Sequence, residues 1–322
     1  MINVSRPGAP FIAIALALTA GALWGTLGLI TRILLAQGLN VTQLGLARLG
    51  GAFVLTLVIA AALGRLRLLK LRQWCWLAMV GLICQASGSF AFSSAVAGAG
   101  SSLAIVLLCT GPLFTTLFNR LFFKERLERG AMASILLTLV GLILTVTGDG
   151  HMQTGAGLYS AHWYSGLCWG LLSGLCYGLF PIFVRALGTL DVWIIVSVSL
   201  GFGALFLTPL HDVAAAAFFR LDGITWLWIG ALVLIPTVFA DVFYVRAIAI
   251  GGPMLATLFA LIEVPAAAIY AWWWLAVPVT FLQWTGIALF CSGLAGLALR
   301  YRHAGVGGEA AFLPTDKQDK TR

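Results

Sequence analysis

Apolar runs of about twenty residues recur along this chain, and they constrain its fold more than any other feature. A membrane-crossing helix needs about 20 predominantly apolar residues to traverse a hydrocarbon core of about 30 Å. Only 9% of the residues are charged and 61% are hydrophobic, whereas an ordinary soluble domain has about 25% charged residues. The sequence therefore predicts an all-α polytopic membrane protein.

Ten apolar runs are long enough to cross the membrane, and their connections are too short to hold a soluble domain. The predicted spans are Phe11–Ala36, Thr42–Leu63, Trp74–Ala97, Ser101–Phe122, Ala131–Thr147, Trp163–Leu187, Val192–Leu210, Gly223–Val245, Pro253–Leu275 and Val279–Leu299. Residues 301–322 are polar and charged. We predict that this tail is disordered, because it has too little apolar surface to bury.

The 19 lysines and arginines are distributed unevenly between the two sides of the membrane. If residues 1–10 are cytoplasmic, all of them except Arg32, Arg48 and Arg220 fall on the cytoplasmic side. This asymmetry is the positive-inside bias. It predicts a multi-pass protein of a bacterial-type inner membrane, with both termini cytoplasmic and residues 148–162 in a periplasmic loop. The net charge of +8 then indicates contact with anionic membrane lipid rather than with nucleic acid.

The two halves of the sequence resemble each other at a constant offset. The segment "ALWGTLGLITR" (Ala22–Arg32) aligns with "LCYGLFPIFVR" (Leu175–Arg185), so that Trp24 matches Tyr177. Gly141 matches Gly293 at nearly the same offset. Each repeat, 11–147 and 163–300, contains five spans, and an odd number inverts the second repeat in the membrane. Inverted repeats are a common construction of secondary transporters, although an old duplication could also serve only as a scaffold.

The same residues carry a resemblance to a known family. The Trp-Gly and Tyr-Gly pairs in the first span of each repeat and the segment "FFKERLERGAMASILLTLVGLILTVTG" resemble the EamA-type branch of the drug/metabolite transporter (DMT) superfamily. The resemblance implies ten helices and a transport function, with export favoured over import. The Lys-Glu-Arg-Leu segment at 124–127 is similar to the link between the fourth and fifth helices in that family. The matching stretch of the second repeat, "LAVPVT" (Leu275–Thr280), has no acid.

Polar residues form matched stripes on the third and eighth spans. Gln85, Ser89 and Phe92 are spaced i, i+4 and i+7, and the same spacing recurs in Thr237, Asp241 and Tyr244. This spacing places each set on one helical face. Two equivalent polar stripes are what the lining of a symmetric cavity requires. The alternative is hydrogen bonding between helices that only holds the bundle together, at about 1 kcal/mol per contact.

Two carboxylates lie inside predicted spans, Glu263 in the ninth and Asp241 in the eighth. A charge within the membrane is costly and normally faces a cavity or a partner. Because burial disfavours the charged form of a carboxyl group, either residue could bind a proton and couple its movement to transport. Either could instead neutralise a cationic substrate group or a buried arginine, and Asp241 could simply pair with Arg246 or Arg185. For Arg48 the favoured interpretation is a side chain that extends to the interface.

The remaining candidates are prolines, aromatic residues and a threonine. Prolines interrupt helical hydrogen bonding, so the near-equivalent Pro112 and Pro265 are predicted hinge positions. Aromatic residues of the spans could line the cavity. The predicted substrate-binding or coupling residues are Glu263, Asp241, Gln85, Ser89, Thr237, Tyr244, Trp24, Tyr177, Phe259 and Thr110.

The sequence does not favour enzymatic catalysis, a cofactor or a metal site. The four histidines lie outside the predicted spans, and no GxxxxGK[ST] nucleotide-binding motif is present. We predict a secondary transporter of small polar or amphipathic metabolites, amino acids or related compounds, that works by alternating access and favours export. The alternatives are a nutrient uptake permease, a flippase for lipid-linked substrates and a scaffold or receptor that transports nothing.

Overall fold

The computed structural model describes residues 9–39, 41–65, 69–99, 101–123, 129–148, 161–188, 190–208, 221–276 and 278–306. Segment 124–127 and most of the predicted 148–162 loop and 301–322 tail lie outside these ranges. The described residues form a bundle of ten helices without strands. The helices are α1 (Ala9–Ala36), α2 (Val41–Ala62), α3 (Leu71–Met79, Val80–Ser87 and Gly88–Ala99), α4 (Ser101–Leu108 and Gly111–Phe123), α5 (Arg129–Thr147), α6 (Ala161–Ala186), α7 (Val192–Leu207), α8 (Gly223–Val233, Leu234–Phe239 and 240–251), α9 (253–260 and Glu263–Leu275) and α10 (Phe281–Val306).

The length and composition of the helices suit a membrane. Seven helical stretches of the described chain are long and apolar enough to cross a membrane. One of them, Gly223–Ala260, runs for 38 residues because α8 passes directly into α9 at Gly252. Gly252 has a φ of 82°, a left-handed conformation that glycine adopts readily, and Pro253 then begins α9. The all-α fold of ten helices is confirmed.

The eighth helix is longer than the sequence suggested. The predicted span ends at Val245, but α8 continues through Arg246 to residue 251. The exposed Arg246 does not end the helix, because a long basic side chain can extend along the helix towards water. Asp241 is therefore ten residues from the end of α8 and lies deeper than the sequence indicated.

Contacts between helix ends establish the two faces of the bundle. Arg65, after α2, forms an ion pair of 3.5 Å with Asp191, before α7. At the other end, the Thr280 hydroxyl donates a 2.7 Å hydrogen bond to the Gly148 carbonyl, which joins α5 to α10. We call the first end the basic face, because it carries Arg65, Lys70, Arg72, Arg120, Arg185, Arg246 and Arg300. The other end is the opposite face.

Small residues bring α5 and α10 into backbone contact. A Cβ atom added to Gly141 would lie 2.3 Å from the Phe290 nitrogen, and one added to Gly293 would lie 2.4 Å from the Thr138 hydroxyl oxygen. Each of these repeat-related glycines therefore packs against the helix that contains the other. Close approach at small residues is a main source of helix association in membranes.

Irregular helical turns also recur at the repeat offset. The segments Val80–Ser87 in α3 and Leu234–Phe239 in α8 are both π-helical, a feature that often marks functional sites. The breaks in α4 and α9, at 109–110 and 261–262, are 152 residues apart. Each break comes just before a proline, Pro112 or Pro265. The Pro265 nitrogen cannot donate to the Leu261 carbonyl, which instead accepts a 3.2 Å bond from the Val264 N–H.

Candidate functional site

A cavity of about 800 Å³ lies between the two repeats. On α1 its lining runs from Trp24 to Arg32, and on α9 it runs from Glu263 to Ala271. These stretches extend from the middle of the bundle to the opposite face. Pro278, in the connection from α9 to α10, lines the mouth. The cavity is therefore open towards the opposite face.

Two close helix crossings support the base of the cavity. A Cβ atom on Gly25 of α1 would lie 3.0 Å from the Glu263 carbonyl oxygen of α9. A Cβ atom on Gly178 of α6 would lie 2.5 Å from the Gly111 carbonyl oxygen of α4. Such close approach favours glycine at both positions, and these crossings place the neighbouring Trp24 and Tyr177 at the cavity from repeat-related positions.

Aromatic rings close the cavity towards the basic face. The centroid of the Tyr244 ring lies 4.9 Å from that of Trp24 and 5.9 Å from that of Phe180. The Trp24 and Tyr177 centroids are 6.4 Å apart. The Tyr244 hydroxyl bonds the Thr257 hydroxyl at 3.0 Å, which fixes the central ring. We call Trp24, Tyr177, Phe180 and Tyr244 the aromatic floor.

A second layer of contacts lies between the floor and the basic face. The Arg185 guanidinium donates a 3.0 Å hydrogen bond to the Asn119 side-chain oxygen, joining α6 to α4. The same guanidinium lies 4.1 Å from the centroid of the Phe123 ring, a distance at which cation–π attraction is effective. Together with the ion pair between Arg65 and Asp191, these contacts hold helices of the two repeats together at the basic face.

Both carboxylates lie near mid-depth. Glu263 is ten residues beyond the start of α9, and Asp241 is ten residues before the end of α8. At 1.5 Å per residue, each is about 15 Å from the basic end of its helix, which is half of a hydrocarbon core of about 30 Å. Both line the cavity.

Glu263 begins the second segment of α9 and has no charged partner in the part of the chain that the structure describes. No described residue forms a hydrogen bond or an ion pair with its carboxylate. The phenol groups of Tyr177 and Tyr244 and the thiol of Cys109 are close enough to interact with it electrostatically. A carboxylate at a helix N-terminus is favoured by the helix dipole, so this position also has a local structural benefit.

Asp241 has partners from the first repeat. Its buried carboxylate is close enough to Arg48 of α2 and to the Trp24 indole N–H to interact electrostatically with both. The favoured interpretation of Arg48 is therefore wrong, and the alternative in which Asp241 pairs with Arg246 finds no support. Arg48 lines the cavity rather than extending to the interface, and Arg246 is exposed rather than paired with Asp241. The attraction of a mid-depth carboxylate accounts for the inward orientation of the Arg48 side chain.

The two predicted polar stripes both line the cavity. Gln85, Ser89 and Phe92 face it from α3, while Thr237, Asp241 and Tyr244 face it from α8. The Thr237 hydroxyl donates 2.9 Å to the Leu232 carbonyl, five residues earlier, within the π-helical turn. This bond leaves an oxygen lone pair of Thr237 available as an acceptor.

Two predicted residues lie outside the cavity lining. Phe259 is 1% exposed and packs in the apolar core. Thr110 occupies the break in α4, where its hydroxyl donates 2.6 Å to the Leu107 carbonyl and packs against Gly174 of α6. The other eight predicted binding residues line the cavity, and their contact with substrate stays a prediction. Arg48 is a charged lining residue that sequence reasoning missed, although an arginine within a span was the available indication.

The helix arrangement and the central cavity define a polytopic membrane protein built from two inverted five-helix repeats. The sequence matches the EamA-like transporter family over residues 11–147 and 164–299. The chain therefore belongs to this family of transporters, an EamA-type member of the DMT superfamily. One solved crystal structure of a protein has a similar fold, with a TM-score of 0.75 and a sequence identity of 18%. The match covers 90% of this chain and 98% of that chain. No curated protein matches the sequence.

Proposed function

We propose that this chain is a secondary transporter that moves small polar or amphipathic metabolites, amino acids or related compounds, by alternating access. The observation that supports this most directly is a cavity between inverted repeats that is open at one face and closed by an aromatic floor at the other. Exchanging the conformations of two such repeats would open the closed face and close the open one. The cavity volume of about 800 Å³ lies within the range of small-molecule sites, about 300–1,000 Å³.

The proposed orientation places the basic face in the cytoplasm of a cell with an inner membrane. The support is the positive-inside bias of Arg65, Lys70, Arg72 and the other basic residues of that face. A reporter that works only in the cytoplasm should be active when it is fused after Arg322, and a reporter that works only in the periplasm should be inactive there. Periplasmic activity of that reporter would invert the proposed topology.

Glu263 is the proposed site of proton coupling. A carboxylate in a mid-depth cavity, without a cationic partner among the described residues, can exchange a proton with the water that enters the cavity. Export is favoured by the family resemblance. Uptake, or flipping of a lipid-linked substrate, would use the same two-repeat arrangement and is the alternative.

Counterflow in proteoliposomes tests the transport function. Vesicles loaded with an unlabelled compound should transiently accumulate the labelled one, across a panel of amino acids, nucleosides, sugars and organic cations. Protein-free vesicles and vesicles with an unrelated membrane protein are the controls. If purified, monodisperse protein exchanges no compound of the panel, the transport proposal fails in favour of a scaffold or receptor.

A further inference from the structure

When the carboxyl group of Glu263 is ionised, the charges of the cavity do not balance at its depth. Four charged side chains line the cavity: Arg32, Arg48, Asp241 and Glu263. Arg48 and Asp241 interact with each other and offset one another's charge. The deep part of the cavity therefore contains one carboxylate in excess.

Arg32 is too far from Glu263 to neutralise it. Gly25 packs against the backbone of Glu263, and Arg32 is seven residues further along α1. At 1.5 Å per residue this is about 10 Å nearer the mouth. The Arg32 side chain is exposed there, where water and salt screen its charge.

A second polar group beside Glu263 also lacks a partner. The phenolic oxygen of Tyr177 is buried and has no hydrogen-bond partner in the described structure, and it lies close enough to Glu263 to interact electrostatically. Buried polar groups are normally hydrogen-bonded, so an unpaired one needs an explanation. This oxygen is closed off from the cavity in this conformation, so a ligand in the cavity would meet Glu263 and the aromatic side chains rather than the phenolic oxygen.

The aromatic floor provides a surface for the rest of such a ligand. Trp24 and Phe180 pack on Tyr244 at centroid distances of 4.9 and 5.9 Å, and both line the cavity with Tyr177. Aromatic faces attract organic cations and bury apolar groups. A cation is thus favoured by the carboxylate and by the rings.

We propose that the cavity selects small organic amines of charge +1, with the ammonium at Glu263 and an apolar or aromatic body on the aromatic floor. The inference rests on the proposed transport function for its physiological meaning. The charge preference itself is measured by binding, separately from transport. An anion would find no uncompensated cation at this depth. A zwitterion would have to compete with Asp241 for Arg48.

Binding of matched compounds tests the charge preference. Phenethylamine, phenylalanine and 3-phenylpropionate share one aromatic body and differ in charge, as do tryptamine, tryptophan and indole-3-propionate. Calorimetry on purified protein should give the tightest binding for the amine in each series. Tighter binding of a zwitterion or an anion, or no binding of either amine, would overturn the proposal.

Substitution of Glu263 connects the preference to this residue. Glu263→Gln should weaken amine binding 10- to 150-fold, equivalent to about 1.5–3 kcal/mol for a charged hydrogen bond, and Glu263→Asp should restore part of it. Asp222→Asn is the matched control, since Asp222 is exposed and caps α8 outside the cavity. Amine binding by Glu263→Gln equal to that of the parent, in monodisperse protein, would contradict the assignment.

Flux measurements distinguish this inference from the transport proposal. If phenethylamine binds but no compound exchanges across vesicles, the charge preference stands and the transport function fails. If vesicles exchange 3-phenylpropionate or phenylalanine in preference to phenethylamine, the transport function stands and the charge preference fails.

Discussion

Gly178 and Gly25 are repeat-related, but the two glycines are not equally crowded. A Cβ atom on Gly178 would lie 2.5 Å from the Gly111 carbonyl oxygen, about 0.9 Å short of the 3.4 Å at which ordinary contact begins. On Gly25 the closest atoms would be 3.0 Å away, about 0.4 Å short. The tighter crossing joins α6 to α4, the same two helices that the Arg185–Asn119 hydrogen bond joins at the closed basic face. We therefore expect Gly178→Ala to destabilise the state with the basic face closed more than Gly25→Ala does.

The size of the effect follows from the atoms involved. The nearest atom to the added methyl group is a backbone oxygen, so no side-chain rotation relieves the contact and the two helices must separate. Overpacking of this kind costs about 1–3 kcal/mol. If the other conformation avoids the contact, its population rises about 5- to 150-fold, because 1.4 kcal/mol is a factor of ten.

Accessibility from the basic face is the assay. In a cysteine-free background, a cysteine at Asn119 should react faster with a membrane-impermeant thiol reagent supplied from that side in Gly178→Ala than in Gly25→Ala. Gly50→Ala is the control, because nothing lies within 4 Å of the added Cβ atom. A loss of thermal stability in Gly178→Ala without a change in Asn119 reactivity would show that the crossing between α6 and α4 is the same in both states, and it would refute the reasoning.

Three further predictions concern the cavity and its closure. In Glu263→Gln, exchange should persist at substrate concentrations raised enough to offset its weaker binding, but accumulation driven by a pH gradient should vanish. In the parent, one proton per substrate gives about tenfold accumulation per pH unit, or 1.36 kcal/mol. Retained pH-driven accumulation in the variant would exclude Glu263 as the coupling site. Arg185→Gln should increase the reactivity of the cysteine at Asn119 with a thiol reagent supplied from the basic face, because it removes the cation–π contact with Phe123. Unchanged reactivity of that cysteine would mean that the aromatic floor alone closes the cavity. In a cysteine-free background, Ser89→Cys should react with a polar thiol reagent from the opposite face while the exposed Phe90→Cys, outside the cavity lining, should not; equal reactivity would mean that the stripe does not line a hydrated cavity.

The ten spans and the repeat were predictable because hydropathy and the offset between similar segments can be read from the sequence without knowing any contact between helices. The stripe of Gln85, Ser89 and Phe92 was likewise predictable from helical periodicity, and it lies on the cavity in the structure. Phe259 shows the limit of such reasoning. Its position within α9 does not reveal whether a neighbouring helix covers it, and here the apolar core does.

Arg48 and the direction of opening show a second limit. The partner of Arg48, Asp241, is in the other repeat, and the offset does not identify it because Arg48 has no basic counterpart in α7. Inverted repeats of similar sequence are compatible with opening at either face. We expect the open face to depend on small differences in packing, such as those at Gly178 and Gly25, which hydropathy and spacing do not contain.

The most direct test of the account is a paired distance measurement at the two faces. The offset of 153 residues relates Arg185 to Arg32 and Asn119 to Trp272, so the contact that closes the basic face has a counterpart at the mouth of the cavity. Spin labels at Arg32 and Trp272 report on the opposite face, and labels at the exposed Arg120 and Ala186 report on the basic face. In proteoliposomes that exchange substrate, alternating access predicts that the first distance shortens as the second lengthens. Two distances that stay constant, or that change in the same direction while exchange proceeds, would contradict it.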